Sequence, residues 1–370
     1  MRRKNNKISL FISNMKIGGA QKVALVLANE ISERGHKVDL VILNGRGEYL
    51  NYLVDGVTLI NLNSDRAYKA LPKLISYLRD QKPIVMLSFM EIDNILSIIA
   101  RMLSFINVRV IINIHALLSQ EKRHSNNSNY KISITLSRYL YPFAHGIIGV
   151  SQGVVEDLVN RFGISRHRCK TIYNPIGSIH EKSYQINSLL SLGKHSFRPL
   201  ILSVGTLKKS KHFQNLIRGF NLVRLERDCQ LAILGEGDER TNLEELIREL
   251  DLQNDVLLPG SVDDSFPYME RATVFVLSSI WESFGLVLVE AMSAGTPVVS
   301  TDCPTGPSEI LKDGLYGELV PVGNPKRLAK AIIKTFDDPI DSKILVKRAK
   351  DFSTEKIIPQ YISYIGKVCN

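Results

Sequence analysis

The chain of 370 residues is 44% hydrophobic and 23% charged, with 24 glycines and 14 prolines; this excludes a disordered, collagen-like or low-complexity polymer and exceeds what one ordinary core holds. Its formal net charge of +10 points to an anionic partner: nucleic acid, a phosphorylated small molecule or an acidic membrane surface. The excess is one-sided, because residues 1–180 carry 24 Lys and Arg against 12 Asp and Glu, net +12, whereas residues 181–370 carry 23 against 25, net −2.

Met1-Arg2-Arg3-Lys4 resembles the basic start of a signal peptide, but the apolar run Ile8–Ile12 is interrupted by Ser9 and ends before Asn14. A strand is expected there, not a leader. Strand-like runs at 7–13, 37–43, 57–62, 84–88, 108–114 and 146–150 then alternate with segments of helical period at 20–34, 71–80, 94–105 and 133–141. The most apolar stretch, 95–108, contains Arg101 and Asn107 and falls short of the roughly 20 apolar residues of a spanning helix. A polar stretch from Gly177 to Arg198 breaks the alternation. It resumes with strands at 199–204, 230–234, 255–258, 273–277, 297–300 and 317–320 and helices at 211–227, 240–250, 286–293, 307–312 and 326–336. The last segment carries Ile357, Ile358, Tyr361, Ile362 and Ile365, a helical stripe with no strand of its own to cover.

Repeated strand-helix-strand order predicts the α/β class with parallel sheets covered on both faces. The expected organisation is two doubly wound domains facing across a cleft, 1–180 and 199–350. A linker at 181–198 joins them, and a C-terminal helix at 351–370 packs back on the first domain. Cys169, Cys229, Cys303 and Cys369 are widely spaced and show no metal-ligand spacing, so reduced structural thiols are expected.

In such sheets ligands bind at the carboxyl ends of strands, beside helix N-termini. The first such loop contains Gly18-Gly19, either a tight turn or a place where an anion can approach the backbone. Gly235-Glu236-Gly237 also follows a strand, but Arg240 stands where a third glycine would complete a dinucleotide fingerprint, and the loop's acidic residues oppose a pyrophosphate. An NAD(P)-dependent oxidoreductase is disfavoured, and there is no Walker A sequence. In Ser279-Ile280-Trp281-Glu282-Ser283-Phe284-Gly285-Leu286-Val287-Leu288-Val289-Glu290-Ala291, two glutamates eight apart are expected on roughly one helix face. There they could accept hydrogen bonds from the hydroxyls of a polyol, with backbone N–H groups of Phe284, Gly285 and Leu286 beside them. A glutamate inside a helix otherwise apolar or small needs a partner.

This segment resembles the EX7E signature of retaining glycosyltransferases of family GT4, which have the GT-B fold. Gly18-Gly19-Ala20-Gln21-Lys22-Val23, Tyr173-Asn174-Pro175-Ile176, Ser203 to Lys211, Leu234-Gly235-Glu236-Gly237 and Ala294 to Val299 match other elements of that family in order. The resemblance implies that Glu290 holds the ribose of a nucleotide-sugar donor and Glu282 a hydroxyl of the transferred sugar. Phe284, Gly285 and Leu286 would assist through their main chain, the Gly18-Gly19 turn would contact the diphosphate, and Lys211 would neutralise it. Asn174 would belong to the interdomain element. His115, after the strand at 108–114, would lie near the transferred sugar as a hydrogen-bonding group. One departure stands out: Thr206 occupies the position where the family has an arginine paired with the lysine, and threonine makes no charged bidentate contact. Either Lys208 or Lys209 substitutes, or the phosphate is held with one fewer cation. No cofactor is implied, the nucleotide sugar being a substrate. No divalent metal is implied either, since lysine and helix-dipole neutralisation can stand in for one.

The resemblance also assigns the acceptor to the basic first domain. Two concentrations of charge stand there: Arg2, Arg3, Lys4 and Lys7, and the run Gln120-Glu121-Lys122-Arg123-His124, which leads through a polar loop to Lys131 and Arg138. The helix with Ile134, Leu136, Tyr139 and Leu140, followed by Phe143, adds apolar surface. Such a mixture suits an anionic bilayer, a lipid-linked diphosphate acceptor, or simply a solvated basic face; nucleic acid is disfavoured. The expectation is transfer from a UDP-linked sugar to a lipid-linked saccharide in surface-polysaccharide assembly, by a cytoplasmic enzyme on the inner face of the inner membrane. A sugar-nucleotide epimerase and a non-catalytic binding module are the competing readings. Thr301-Asp302-Cys303-Pro304-Thr305-Gly306-Pro307-Ser308-Glu309-Ile310 resembles family members that build lipopolysaccharide, capsule or protein-linked glycans.

Overall fold

The structure, a computed structural model, describes residues 7–177 and 198–370. Arg2, Arg3, Lys4 and the expected linker at 181–198, Arg198 apart, lie outside the described residues. The chain divides into two compact units, Met1–Gly177 with Phe352–Asn370, and Ser178–Asp351.

The first unit contains strands β1 (Ile8–Ile12), β2 (Val38–Ile42), β3 (Val57–Asn61), β4 (Val85–Ser88), β5 (Arg109–Ile114), β6 (Gly146–Gly149) and β7 (Cys169–Thr171). Its first six helices are α1 (Gly19–Glu33), α2 (Ala67–Gln81), α3 (Glu91–Ser104), α4 (Leu118–His124), α5 (Ser128–Leu140) and α6 (Gln152–Phe162). The second unit contains β8 (Leu200–Val204), α7 (Phe213–Arg224), β9 (Gln230–Leu234), α8 (Arg240–Glu249), β10 (Val256–Gly260), α9 (Phe266–Arg271), β11 (Val274–Leu277), α10 (Leu286–Ser293), β12 (Val298–Thr301), α11 (Pro307–Leu311), β13 (Glu318–Val320), α12 (Pro325–Asp337) and α13 (Ser342–Ala349). Helix α14 (Thr354–Cys369) returns to the first unit.

Both sheets are parallel, in the orders β3-β2-β1-β4-β5-β6-β7 and β10-β9-β8-β11-β12-β13. Each reverses direction once, between β1 and β4 and between β8 and β11, the arrangement of a Rossmann-like domain. Central strands such as β1 and β11 are buried at every residue, which is why they read as unbroken apolar runs. One core layer in the first unit joins Phe11, Leu74, Met86 and Leu96; in the second, Phe213, Phe220, Leu231 and Leu328 pack together. Each such side chain contributes about 1.5–3 kcal/mol when fully buried.

The C-terminal stripe behaves as its spacing predicts: Ile357, Ile358, Tyr361 and Ile365 are buried, α14 packs along α1, and the Tyr364 hydroxyl donates to the Arg168 carbonyl at 3.3 Å. Several short elements escape the periodicity. Gln120–His124, to which no element is assigned from the sequence, is part of α4, so Lys122, Arg123 and His124 form its last turn, where cations suit the helix dipole. Helix α6 and strand β7 also go unforeseen. The start of α6 is set by Ser151, whose side chain accepts from Val154 N, and its end by Gly163 in the left-handed region; these are local cap signals, not a long apolar pattern. Helix α9, of six residues, and α13, capped by Asp341, are too short for a periodic signal. Strand β10 extends through Pro259 with a register shift, which an edge position permits.

Candidate active site

The reversal point of the second sheet gathers the residues of the EX7E segment. The loop after β8 ends in a short 3-10 turn, Lys209–Lys211, and the loop after β11 carries Ser278 to Gly285. The two are tied by Ile280 N to Ser210 O at 2.7 Å and by the Ser278 hydroxyl to the Lys211 carbonyl at 2.8 Å. Their side chains then meet: Lys211 Nζ lies 2.6 Å from Glu282 Oε1, and the Ser279 hydroxyl donates to the same oxygen at 2.6 Å. The lysine and glutamate side chains are only 16% and 9% exposed, so each charge depends on the other for compensation. From the last residue of β12 the Thr301 hydroxyl donates to the Ser279 carbonyl at 2.6 Å.

Glu282 and Glu290 do not share a helix face, contrary to the reading of their spacing. Helix α10 begins at Leu286, with Gly285 as its N-cap in the left-handed region. Glu282 therefore stands in the loop ahead of the helix and Glu290 in its second turn, half-buried. The interval of eight is part loop and part helix. Phe284 is buried, and Leu286 and Val287 are the first residues whose N–H groups lack an acceptor within the helix, so the positive end of α10 follows Glu282 closely along the chain. Thr206, Lys208 and Lys209 are exposed, and neither lysine makes an ion pair among the described residues.

Gly235 and Gly237 have a structural task. A Cβ on Gly235 would come within 2.0 Å of the Gly205 carbonyl oxygen, and one on Gly237 within 2.4 Å of that of Leu207. Two main chains lie flat together, joined by Gly205 N to Leu234 O at 2.9 Å and Leu207 N to Glu236 O at 2.8 Å. Glu236, expected to make the loop acidic, is paired with Arg240 at 2.6 Å, whose guanidinium holds its carboxyl below the usual range.

In the first unit Gly18 is the N-cap of α1 with no side-chain cap, and Gly19 is its first residue. A Cβ on Gly19 would meet nothing within 4 Å, so the helix N-terminus is open there. The loop before it is held from β2's side: Met15 N donates to Arg46 O at 3.1 Å and Tyr49 N to Met15 O at 3.0 Å. Gly47 lies so near that a Cβ would fall 2.0 Å from the Met15 carbonyl carbon. His115 directly follows β5; its ring is 5.8 Å from that of Phe89, its Nε2 is buried without a hydrogen-bond partner, and desolvation pushes its pKa down to about 3. It is a neutral imidazole at physiological pH. Asn174 is buried with Oδ1 unpartnered. Beside it Ile176 N donates to Phe352 O at 2.8 Å and Tyr173 stacks edge-on against Phe352 at 5.5 Å, so the Asn-Pro element lies where the chain leaves and re-enters this unit.

A buried polar group at the reversal point of the first sheet was not singled out from the sequence. Asp93, in the first turn of α3, accepts from Ser13 N at 2.8 Å and from the Ser13 hydroxyl. Burial, reinforced by nearby Glu91, raises its pKa to about 7 against the pull of those bonds. Tyr130 donates to Glu91, and burial and that carboxylate hold its phenol well above the usual range. The available signal was a pair of acids opening an otherwise apolar helix, which reads equally well as a favourable helix start.

Comparison with known proteins agrees with the fold and with the order of the motifs. Residues 17–177 match the model of Glycosyltransferase Family 4 and residues 191–352 that of Glycosyl transferases group 1. A Campylobacter jejuni relative, the N-acetylgalactosamine-N,N'-diacetylbacillosaminyl-diphospho-undecaprenol 4-alpha-N-acetylgalactosaminyltransferase, is 31% identical over 380 residues, spanning 97% of this chain and 99% of its own. Among solved structures, the lipopolysaccharide outer core galactosyltransferase WaaB superposes with a TM-score of 0.72 at 20% identity, covering 98% of this chain and 99% of that one. Anabaena HepE in complex with UDP-glucose gives 0.76 at 19%, covering 98% of each; at such identities the likeness speaks for the fold. Fold, motif order and family models converge: the chain is a GT-B glycosyltransferase belonging to glycosyltransferase family 4.

Proposed function

We propose that the protein is a retaining transferase that moves a hexose or N-acetylhexosamine from a UDP-linked donor to a lipid-diphosphate-linked saccharide. The observation that carries this reading is the Lys211–Glu282 pair at 2.6 Å, with Glu282 just ahead of the N-terminus of α10 along the chain and Glu290 one turn into the helix. Glu290 accepts hydrogen bonds from the ribose and Glu282 from a hydroxyl of the sugar, with the main chain at Phe284, Gly285 and Leu286 alongside. The Lys211 ammonium and the helix N-terminus face the leaving diphosphate, where negative charge grows in the transition state. Lys208 and Lys209, exposed and adjacent, supply the positive charge that Thr206 does not. Within the first unit, the open N-terminus of α1 at Gly18 and Gly19 suits a phosphate group, and neutral His115 suits a hydrogen-bonding role. On this reading the reaction needs no divalent metal. UDP is favoured by the UDP-glucose complex of the Anabaena neighbour, and the acceptor class by the diphospho-undecaprenol named for the Campylobacter relative.

An acceptor of this class is in keeping with work at the cytoplasmic face of the inner membrane, and the surface of α5 suits that position. Ile132, Leu136 and Tyr139, with Phe143 beyond the helix end, recur at helical spacing and are 57%, 46%, 66% and 54% exposed. Arg138 on the same helix, and Lys122 and Arg123 on α4, are exposed as well. An apolar stripe on a unit that also exposes cations fits an anionic bilayer. No helix among the described residues is long and apolar enough to cross a membrane.

The decisive experiment is a binding screen over UDP, GDP and ADP sugars, followed by transfer assays with the best donor. Glu290→Ala should abolish transfer and leave the fold intact; full activity in that variant would sink the site assignment. Product analysis on donor alone separates an epimerase. Sedimentation with phosphatidylglycerol vesicles should weaken with salt and with Tyr139→Glu.

A further inference from the structure

The segment 301–310 is not absorbed by donor chemistry, yet it contains a backbone anomaly. Thr305 has φ +67, a left-handed conformation that a β-branched residue rarely adopts, and strain of this kind persists only where surroundings impose it. The Thr305 hydroxyl donates to the Glu282 carbonyl oxygen, and Glu282 N points back to Pro304 O at 3.5 Å. The next residue, Gly306, approaches so closely that a Cβ would fall 2.0 Å from the Phe284 carbonyl oxygen. One loop thus holds the main chain of Glu282 at both its N–H and its C=O, while Lys211 and Ser279 hold the carboxylate.

We infer that Thr305 is a positioning residue whose hydroxyl, delivered by the left-handed turn, fixes the Glu282 main chain so that its carboxylate meets the transferred sugar. A hydroxyl in an ordinary backbone conformation at 305 would point elsewhere, which gives the strained turn a purpose. Gly306 follows because only a residue without Cβ lets the two loops close to this distance.

The inference rests on the assignment of Glu282 to the sugar, and the test separates the two. Affinities for UDP and for the best-binding UDP-sugar are measured by calorimetry in wild type, Thr305→Val, Thr305→Ser and Glu282→Gln, with melting temperatures alongside. Valine keeps the β-branched shape and removes the hydroxyl. It should weaken UDP-sugar binding about tenfold, leave UDP binding unchanged, lower melting by no more than one lost intramolecular hydrogen bond accounts for, and be rescued by serine. Equal losses for UDP and UDP-sugar with a lowered melting temperature, or serine as impaired as valine, would overturn the inference. If Glu282→Gln loses sugar recognition while Thr305→Val does not, positioning by Thr305 is wrong; if Glu282→Gln binds the sugar normally, the underlying assignment of Glu282 is wrong.

Discussion

The two units share the same order over six strands and the same kind of reversal point, the first sheet adding β7, but furnish that point differently. In the second, loops after β8, β11 and β12 interlock around a charged pair, so a lysine and a glutamate are preorganised with their main chains tied down. In the first, the same position holds an open glycine N-terminus, a neutral histidine, and buried acids satisfied by serine and tyrosine. The charge distribution runs the other way: the half with net +12 exposes cations such as Lys122, Arg123 and Arg138, whereas the half with net −2 largely buries Lys211. Bulk charge and site charge are therefore independent quantities. The first sets the long-range field around the molecule, the second the local electrostatics of one loop cluster.

The comparison breaks most visibly at the ion pair. Lys211→Met should reduce transfer by at least about 100-fold, the scale of losing a preorganised charge. It should also lower stability by about 3–5 kcal/mol through the stranded Glu282, measured by initial rates and chemical denaturation. The double variant Lys211→Met, Glu282→Gln should recover stability without recovering activity. In the first unit the sharpest disturbance is Gly47→Ala. Its Cβ would collide with the Met15 and Lys16 main chain, and its φ of +134 suits glycine alone. Thermal melting should fall and donor affinity with it, whereas Gly19→Ala, with open space around it, should melt like wild type.

A smaller effect distinguishes the buried groups by pH. Asp93 releases its proton at about 7 when folded and near 3.8 when unfolded, so its contribution is complete below about pH 4 and lost as pH rises through 7. His115 runs oppositely, from 6.5 unfolded to about 3 folded: its contribution is present above 6.5 and lost as pH falls toward 3. Asp93→Asn should flatten the first slope and His115→Gln the second in melting curves against pH. The smallest expected effect is from chelation: on the proposal that Lys211 and the α10 dipole neutralise the diphosphate, EDTA should leave the transfer rate unchanged.

Much of this was legible along the chain. Apolar runs of four to six residues between helical periods determine a parallel α/β fold, because strands covered on both faces must be continuously apolar, and the stripe from Ile357 to Ile365 determines that the last helix packs by one face. The motif order from Gly18 to Glu290 determines the family. What tertiary structure alone decided is which groups meet. Lys211 and Glu282 are 71 residues apart in sequence and 2.6 Å apart in space. Ser13 and Asp93 are joined across 80 residues, and Thr305 bonds the carbonyl of Glu282 from a separate loop. Periodicity reports how a segment faces the core. It carries no information about which loops the strand order brings side by side, and in a doubly wound sheet that order places the chemistry.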